Sequence, residues 1–451
     1  MDMERYDLAV IGAGAGGLNA SFEALMLGKK VVLIDKYKPG GECTWSGCIP
    51  SKALIQIADE VHTAKKYGDI EINRKQILTK VRTLIETAHQ AEAVEVLEEA
   101  GIDYLQGYAK FKNAHTLDVD GKEIQADKVV IATGSSALIP SIKGIENVDY
   151  LTNENVFLLE DLPKDLIILG AGAIGVELAQ AFQRLGVQVK LVEMAETILF
   201  REEKDMALEL ESILKEEGVE CFTSAKGVEV RAGTTGITLT IEQNGGQINL
   251  TGEKILLALG RKPNVEGINL DKIGVQYNHK GVEVNEYLET TVPNVYAVGD
   301  IVGPYLFSHM GGAQGKQAVQ NAFSAAKGKI NYNQAAWCTF THPELARAGM
   351  TEDEAKAKHD GRVQVYTQAY SELDRAVVDE KTKGMAKVIC DEEGYILGAS
   401  ILGERACELL SELQVVKSFH IPFYKLQEAI HPYPSYSEIL LQLSKEAYNN
   451  Q

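Results

Sequence analysis

The chain predicts an α/β fold with two Rossmann-like units. One pattern of strand, glycine turn, helix and strand occurs twice, and 451 residues exceed what a single hydrophobic core usually organises. In its first occurrence, YDLAVIGAGAGGLNASFEALMLGKKVVLID, an apolar strand runs into Gly12, Gly14 and Gly17, an amphipathic helix follows, and a second apolar strand closes on Asp35. Gly12 permits the tight turn, Gly14 lets the backbone approach a pyrophosphate, and Gly17 lets helix and strand pack closely. The free N–H groups at the helix start suit phosphates, and Asp35 can accept a bond from a ribose hydroxyl.

The second occurrence, DLIILGAGAIGVELAQAFQRLGVQVKLVEM, places Gly170, Gly172 and Gly175 in the turn and Glu193 at the end of the second strand. Two dinucleotide sites are therefore expected. An acid at this position bonds a ribose 2′-OH and repels a 2′-phosphate, and the nearest following arginine is Arg201, so NADH is expected in preference to NADPH. Two more apolar strands end in turns, VVIATGSS at Thr133 and Gly134 and TTVPNVYAVGDI at Gly299 and Asp300. By themselves such strand ends are as readily structural as ligand-contacting.

Cys43 and Cys48 stand in GGECTWSGCIPSK, shortly after the first unit. In a regular helix, residues five apart are separated by about 7.5 Å of rise and roughly 140° of rotation. Disulfide Cα separations reach only about 6.8 Å. The pair is bridgeable only if the helix is distorted or begins within the segment. Gly47 and Pro50 suit a helix start, and a helix N-terminus stabilises a thiolate at Cys48. Cys221, Cys338, Cys390 and Cys407 show neither metal spacing nor pairing and read as buried small residues.

Composition narrows the function classes. A hydrophobic fraction of 45% with 24% charged residues is that of a multidomain globular chain, and no run of about 18 apolar residues offers a membrane span. The formal net charge of -19, with scattered Lys and Arg, argues against nucleic acid and anionic membrane surfaces as partners. The start lacks the apolar core and cleavage site of a signal peptide, so a cytoplasmic location is expected.

Taken together these motifs resemble the pyridine nucleotide-disulfide oxidoreductases, the family of lipoamide dehydrogenase, glutathione reductase and mercuric reductase. The resemblance runs nearly end to end. It implies FAD on the first glycine turn and on Asp300, and the nicotinamide dinucleotide on the second turn. It makes Cys43 the thiol that exchanges with substrate and Cys48 the thiol beside the flavin. Lys52 is implied near the flavin and paired with Glu177. Phe307, Ser308 and His309, in LFSHMGGAQG, fall where the family places backbone contacts to the flavin ring, and Gly260 with Arg261 matches the loop that leaves the nicotinamide domain. The implied organisation is an FAD domain over 1–148 and 271–334, a nicotinamide domain over 149–270, and a C-terminal α+β interface domain over 335–451. Through the last, two subunits are expected to form a homodimer whose active sites are shared.

One segment departs from the pattern. Where lipoamide dehydrogenases and glutathione reductases carry His-x-His-Pro and then Glu, this chain has HPYPSYSE: Tyr433 takes the catalytic His place, His431 matches the first His, and Glu438 is in register as the orienting acid. A tyrosine with an ordinary pKa near 10 donates a proton at pH 7 but is a poor base. The enzyme is therefore expected to reduce a small disulfide or another thiol-reactive oxidant. Competing expectations are dihydrolipoamide dehydrogenase of a 2-oxo acid dehydrogenase complex, with His431 or water as base, and a silent FAD-binding paralogue. A metal-ion reductase of mercuric reductase type is a further one, weakened because the tail LSKEAYNNQ has no cysteine pair and no CxxC domain precedes residue 1.

Overall fold

The computed structural model describes residues 4–233 and 236–450. Glu4–Ile11 is the centre of a seven-stranded sheet, parallel to Val31–Asp35 with Leu8 opposite Val31, and parallel to Lys122–Ile131 with Ala9 opposite Val129. Ile102–Gln106 extends one side. Thr116–Val119 and Ala109–Asn113 extend the other in antiparallel fashion, and Val295–Ala297 returns from far along the chain to pair with Lys122–Ile131. Leu8, Val10, Val31 and Leu33 are buried on one face and Ala9, Ile11, Val32 and Ile34 on the other. Both faces are covered, so these strands read as continuous apolar runs. Each fully buried Leu or Val contributes about 1.5–3 kcal/mol. The helix Ala15–Met26 crosses the helix Ser308–Phe323 closely: a Cβ on Gly315 would collide with the Gly16 carbonyl oxygen. That contact fixes Ser308 near the first glycine turn.

The second unit repeats the scheme with a parallel sheet in the order Glu220–Phe222, Gln188–Val192, Asp165–Leu169, Lys254–Leu257, beside an antiparallel meander of Ala225–Ala232, Ile237–Gln243 and Gly246–Gly252. Its helix Ala173–Arg184 packs against Cys48–Lys65, so that Leu54, Ile57 and Ala58 share one core with Val176, Ala179 and Phe182. Arg184 and Asp59 close the far end of this helix pair at 3.0 Å. The two sheets are linked by a short ribbon in which Arg261–Pro263 runs antiparallel to Ser135–Ala137.

Residues beyond 335 form a five-stranded antiparallel sheet in the order Ala336–Thr339, Glu344–Gly349, Ile396–Gly403, Met385–Cys390, Gln364–Ala369, with the helices Ala406–Ser418 and Glu438–Asn449 packed on it. The fold class is thus two Rossmann-like units plus a C-terminal α+β domain. That domain is docked on the second unit by a buried cation: Lys387 Nζ lies 3.0 Å from Glu203, 2.8 Å from Asp205 and 3.1 Å from Glu352. Gln180 adds a two-way bond to the backbone of His342 at 2.8 and 2.7 Å. Among the described residues no helix is long and apolar enough to cross a membrane.

Candidate active site

The two glycine turns share one geometry. Gly12 has φ +105° and Gly170 φ +104°, a region in which a Cβ is strained, and a Cβ on Gly17 or Gly175 would collide with the carbonyl oxygen of Gly12 or Gly170 respectively. Gly14 and Gly172 stand just before the helices Ala15–Met26 and Ala173–Arg184, which carry neither a capping side chain nor an acid in the first turn. Asp35 accepts the N–H groups of Ala13 at 2.7 Å and Tyr37 at 2.9 Å; Glu193 accepts those of Ala171 and Ala195, both at 2.8 Å. Uncapped helix starts, an approachable glycine backbone and an acid at the end of the neighbouring strand form the donor and acceptor set that a dinucleotide requires. These residues fit FAD at the first turn and a nicotinamide dinucleotide at the second.

The dithiol lies where the first and second units meet. Cys43 belongs to a short helix, Gly41–Trp45, and Cys48 opens the long helix Cys48–Lys65, with Pro50 in its first turn. The chain thus begins a new helix at Cys48 rather than distorting one. The two cysteines are free thiols within hydrogen-bond reach of each other. The bond from Cys43 lowers the Cys48 thiol to about 6; burial opposes this, and the Lys52 charge assists it. Cys43 is pushed well up by the same bond and by burial. Cys48 Sγ also lies 3.8 Å from Ser308 Oγ, at the uncapped start of Ser308–Phe323.

Helix packing sets the ion pair behind the thiols. Lys52 Nζ is 2.8 Å from Glu177 Oε2, and Glu177, almost fully buried, accepts the Phe340 N–H on Oε1 at 2.8 Å. Phe307 stacks on His309 and on Trp337 at 5.5 and 5.7 Å, while His309 Nε2 faces the Ala336 carbonyl at 2.9 Å. Thr133 Oγ1 donates to the Asn264 carbonyl at 2.8 Å, and Gly134 and Gly260 both hold positive φ in the strand exits.

Asp300 takes part in a charged cluster that the motifs do not announce. Its Oδ2 accepts Ser135 Oγ at 2.6 Å and lies 3.4 Å from Arg261 Nε. Arg261 grips Glu42 with both terminal nitrogens, and Glu42 also accepts Asn153 Nδ2. Burial raises the Glu42 pKa against the pull of Arg261. Glu42 immediately precedes Cys43, so this cysteine is tied to both domain crossings. A charged residue inside a glycine-rich turn is the one sequence signal that marks it.

The C-terminal segment engages Tyr433, Glu438 and His431 within the chain. Tyr433, exposed, donates its hydroxyl to Asp374 Oδ2 at 2.9 Å, whereas Glu438 accepts the Ser435 N–H at 3.2 Å; Asp374, not Glu438, holds Tyr433. The physical reason is register: Glu438 opens the helix Glu438–Asn449 and turns back on its own preceding backbone. The nearly buried ring of His431 faces Glu412 Oε1 at 2.8 Å and the Ala429 carbonyl at 3.2 Å, both acceptors. The bond to Asp374 raises the Tyr433 pKa above its ordinary value.

Comparison with known proteins agrees with this geometry. Residues 6–326 match the family described as pyridine nucleotide-disulphide oxidoreductase, and residues 335–443 match the dimerisation domain of the same family. The chain is 33% identical over 460 residues to a dihydrolipoyl dehydrogenase of Thermus scotoductus, covering 100% of this chain and 98% of that one. It is 30% identical over 446 residues to a mercuric reductase of Lysinibacillus sphaericus, covering 96% and 81%. Among solved structures it is similar to the Cu(II) complex of the HOCl-induced flavoprotein disulfide reductase RclA from Escherichia coli, with a TM-score of 0.88, 28% identity, and coverage of 98% and 100%.

Proposed function

The chain belongs to the pyridine nucleotide-disulphide oxidoreductase family, and from that premise we propose that it uses NADH to reduce a small disulfide through Cys43 and Cys48. As a FAD-dependent member of that family it would take from bound FAD one service, the passage of an electron pair from the nicotinamide to the Cys43–Cys48 disulfide. The residues of the chain do the rest. In the reduced pair Cys48 is the thiolate, accepting a bond from Cys43. Shift of that proton to Cys48 frees Cys43 to attack a substrate sulfur and expel the first thiolate; Cys48 then attacks Cys43 Sγ in the mixed disulfide, closing the Cys43–Cys48 disulfide and displacing the second substrate thiol.

The observation that carries the direction of reaction is the Tyr433–Asp374 bond. A hydroxyl whose pKa is raised further still is a proton donor throughout the neutral range. Supplied by the second subunit of a homodimer, Tyr433 protonates the departing thiolate. Oxidation of a dithiol needs a base instead, and His431 is engaged with Glu412 and Ala429. This favours disulfide reduction over the dihydrolipoyl dehydrogenase reaction. NADH is favoured by Glu193, whose carboxylate would repel a 2′-phosphate.

The test is turnover of lipoamide, glutathione disulfide, Hg(II) and Cu(II) with NADH and with NADPH, in wild type and Cys43→Ser. Disulfide reduction at least about tenfold faster with NADH, and lost in Cys43→Ser, is expected. Dihydrolipoamide oxidation as fast as lipoamide reduction, or consumption of metal ions alone, would overturn the reading.

A further inference from the structure

Cys338 and Cys407 read in the sequence as unpaired, yet the fold brings them together. Cys338 sits on the edge strand Ala336–Thr339, opposite Ala346 of the neighbouring strand. Cys407 lies in the first turn of the helix Ala406–Ser418, which packs against that strand. The helix start is anchored there, because the Cys407 N–H donates to Glu344 Oε2 at 3.0 Å. The two thiols, each half-buried, are brought side by side by that packing, and Cys338 Sγ also donates to the Thr339 carbonyl at 3.5 Å. Beside them opens a cavity of about 290 Å³ lined by His342, Glu344, Glu404, Arg405 and Glu408. Glu344 holds the Cys407 N–H, and Arg405 and Glu408 flank Cys407 in the chain, so the cavity opens next to the helix turn that carries Cys407.

The two sulfurs are not equivalent. Cys407 is held below the ordinary thiol value by the bond from Cys338, against burial and the charges of Glu344 and Glu408. Its place in a helix first turn acts in the same sense. Cys338 is pushed up by that bond and by burial. The division into thiolate and thiol repeats that of Cys48 and Cys43, and the Glu177 charge acts on Cys338 as it does on Cys48. Cys338 also lies two residues from Phe340, whose N–H supports Glu177.

We propose that Cys338 and Cys407 are a second redox-active thiol pair, in which Cys407 attacks a low-molecular-weight disulfide and Cys338 resolves the product. Cys407 Sγ attacks one sulfur of R–S–S–R, forming a mixed disulfide and releasing RS⁻. Cys338 Sγ then attacks Cys407 Sγ, closing the Cys338–Cys407 disulfide, and its proton leaves with the second group as RSH. The protein loses two electrons and the small disulfide gains them.

The experiment is a thiol map of the purified holoenzyme after exposure to glutathione disulfide without NADH. Free thiols are blocked with N-ethylmaleimide under unfolding conditions, and the digest is read by mass spectrometry. The expected result is a linked Cys338–Cys407 peptide two hydrogens lighter than the sum of its parts, and, in Cys338→Ser, a glutathione adduct on Cys407. Recovery of both wild-type cysteines as maleimide adducts overturns the proposal. So does an adduct on Cys338 in Cys407→Ser with none on Cys407 in Cys338→Ser, which reverses the roles. The wild-type map does not depend on how well either variant folds.

Discussion

Cys48 gives the site its pH dependence. A thiol lowered to about 6 is thiolate above that pH and is protonated as the pH falls through it. In the reduced holoenzyme, long-wavelength absorbance from a thiolate lying against the flavin should therefore fade with a midpoint near 6. Cys43→Ala, which removes the largest cause of the shift, should move that midpoint up toward the ordinary thiol value of about 8.5; a midpoint that stays put would assign the effect to Lys52. Tyr433→Phe should slow disulfide reduction by about 10²- to 10⁴-fold while leaving flavin reduction by NADH unchanged. Rapid-mixing measurements separate the two halves, and an equal loss in both would make Tyr433 merely structural. The cysteines and the glycines are legible in the sequence because their meaning lies in local spacing, and Lys52 through the family resemblance. Glu42, Asp374 and Glu412 are not, since their partners Arg261, Tyr433 and His431 are distant in the chain, and an acid destined for an ion pair looks like one facing water. Cys338 and Cys407 escape notice for the same reason.

At the scale of elements, the onset of a helix at Cys48 is what lets two cysteines five residues apart meet. Gly47 makes the junction possible sterically: a Cβ there would stand 2.9 Å from the Glu42 carbonyl oxygen and 3.2 Å from Cys43 Cα. Gly47→Ala should strain the junction by about 1–3 kcal/mol. Equilibration with thiol redox buffers should then show the Cys43–Cys48 dithiol/disulfide equilibrium moved by roughly one to two powers of ten. No movement would mean that the short helix Gly41–Trp45 relaxes freely. Both βαβ units are legible because strand, glycine turn, helix and acid come in a fixed order. The meander Ala225–Ala232, Ile237–Gln243, Gly246–Gly252 has no such fingerprint; its pairing rests on cross-strand contacts such as Leu239 opposite Leu250, which no single segment reveals.

Across the whole molecule, Arg261 is the point where the dithiol loop, the strand exit at Ser135, Asp300 and the outgoing crossover at Asn153 converge through Glu42. Arg261→Met leaves Glu42 a largely buried charge without its partner, a loss of about 3–5 kcal/mol when a buried pair is broken. The thermal midpoint followed by flavin fluorescence should fall, and Glu42→Gln added to the same protein should recover part of it; no recovery would reduce the contact to a spacer. The three-part organisation is legible from the order of motifs, whereas the docking of Lys387 among Glu203, Asp205 and Glu352 depends on the assembled fold. The matching glycine turns carry one more consequence. Gly12 and Gly170 differ by a single degree in φ, Gly17 and Gly175 press on equivalent carbonyls, and Asp35 and Glu193 clasp equivalent amides. One turn geometry is thus built twice within a single chain. A change made in one copy has a ready-made control in the other: damage common to both belongs to the shared geometry, and whatever differs belongs to the surroundings of each turn.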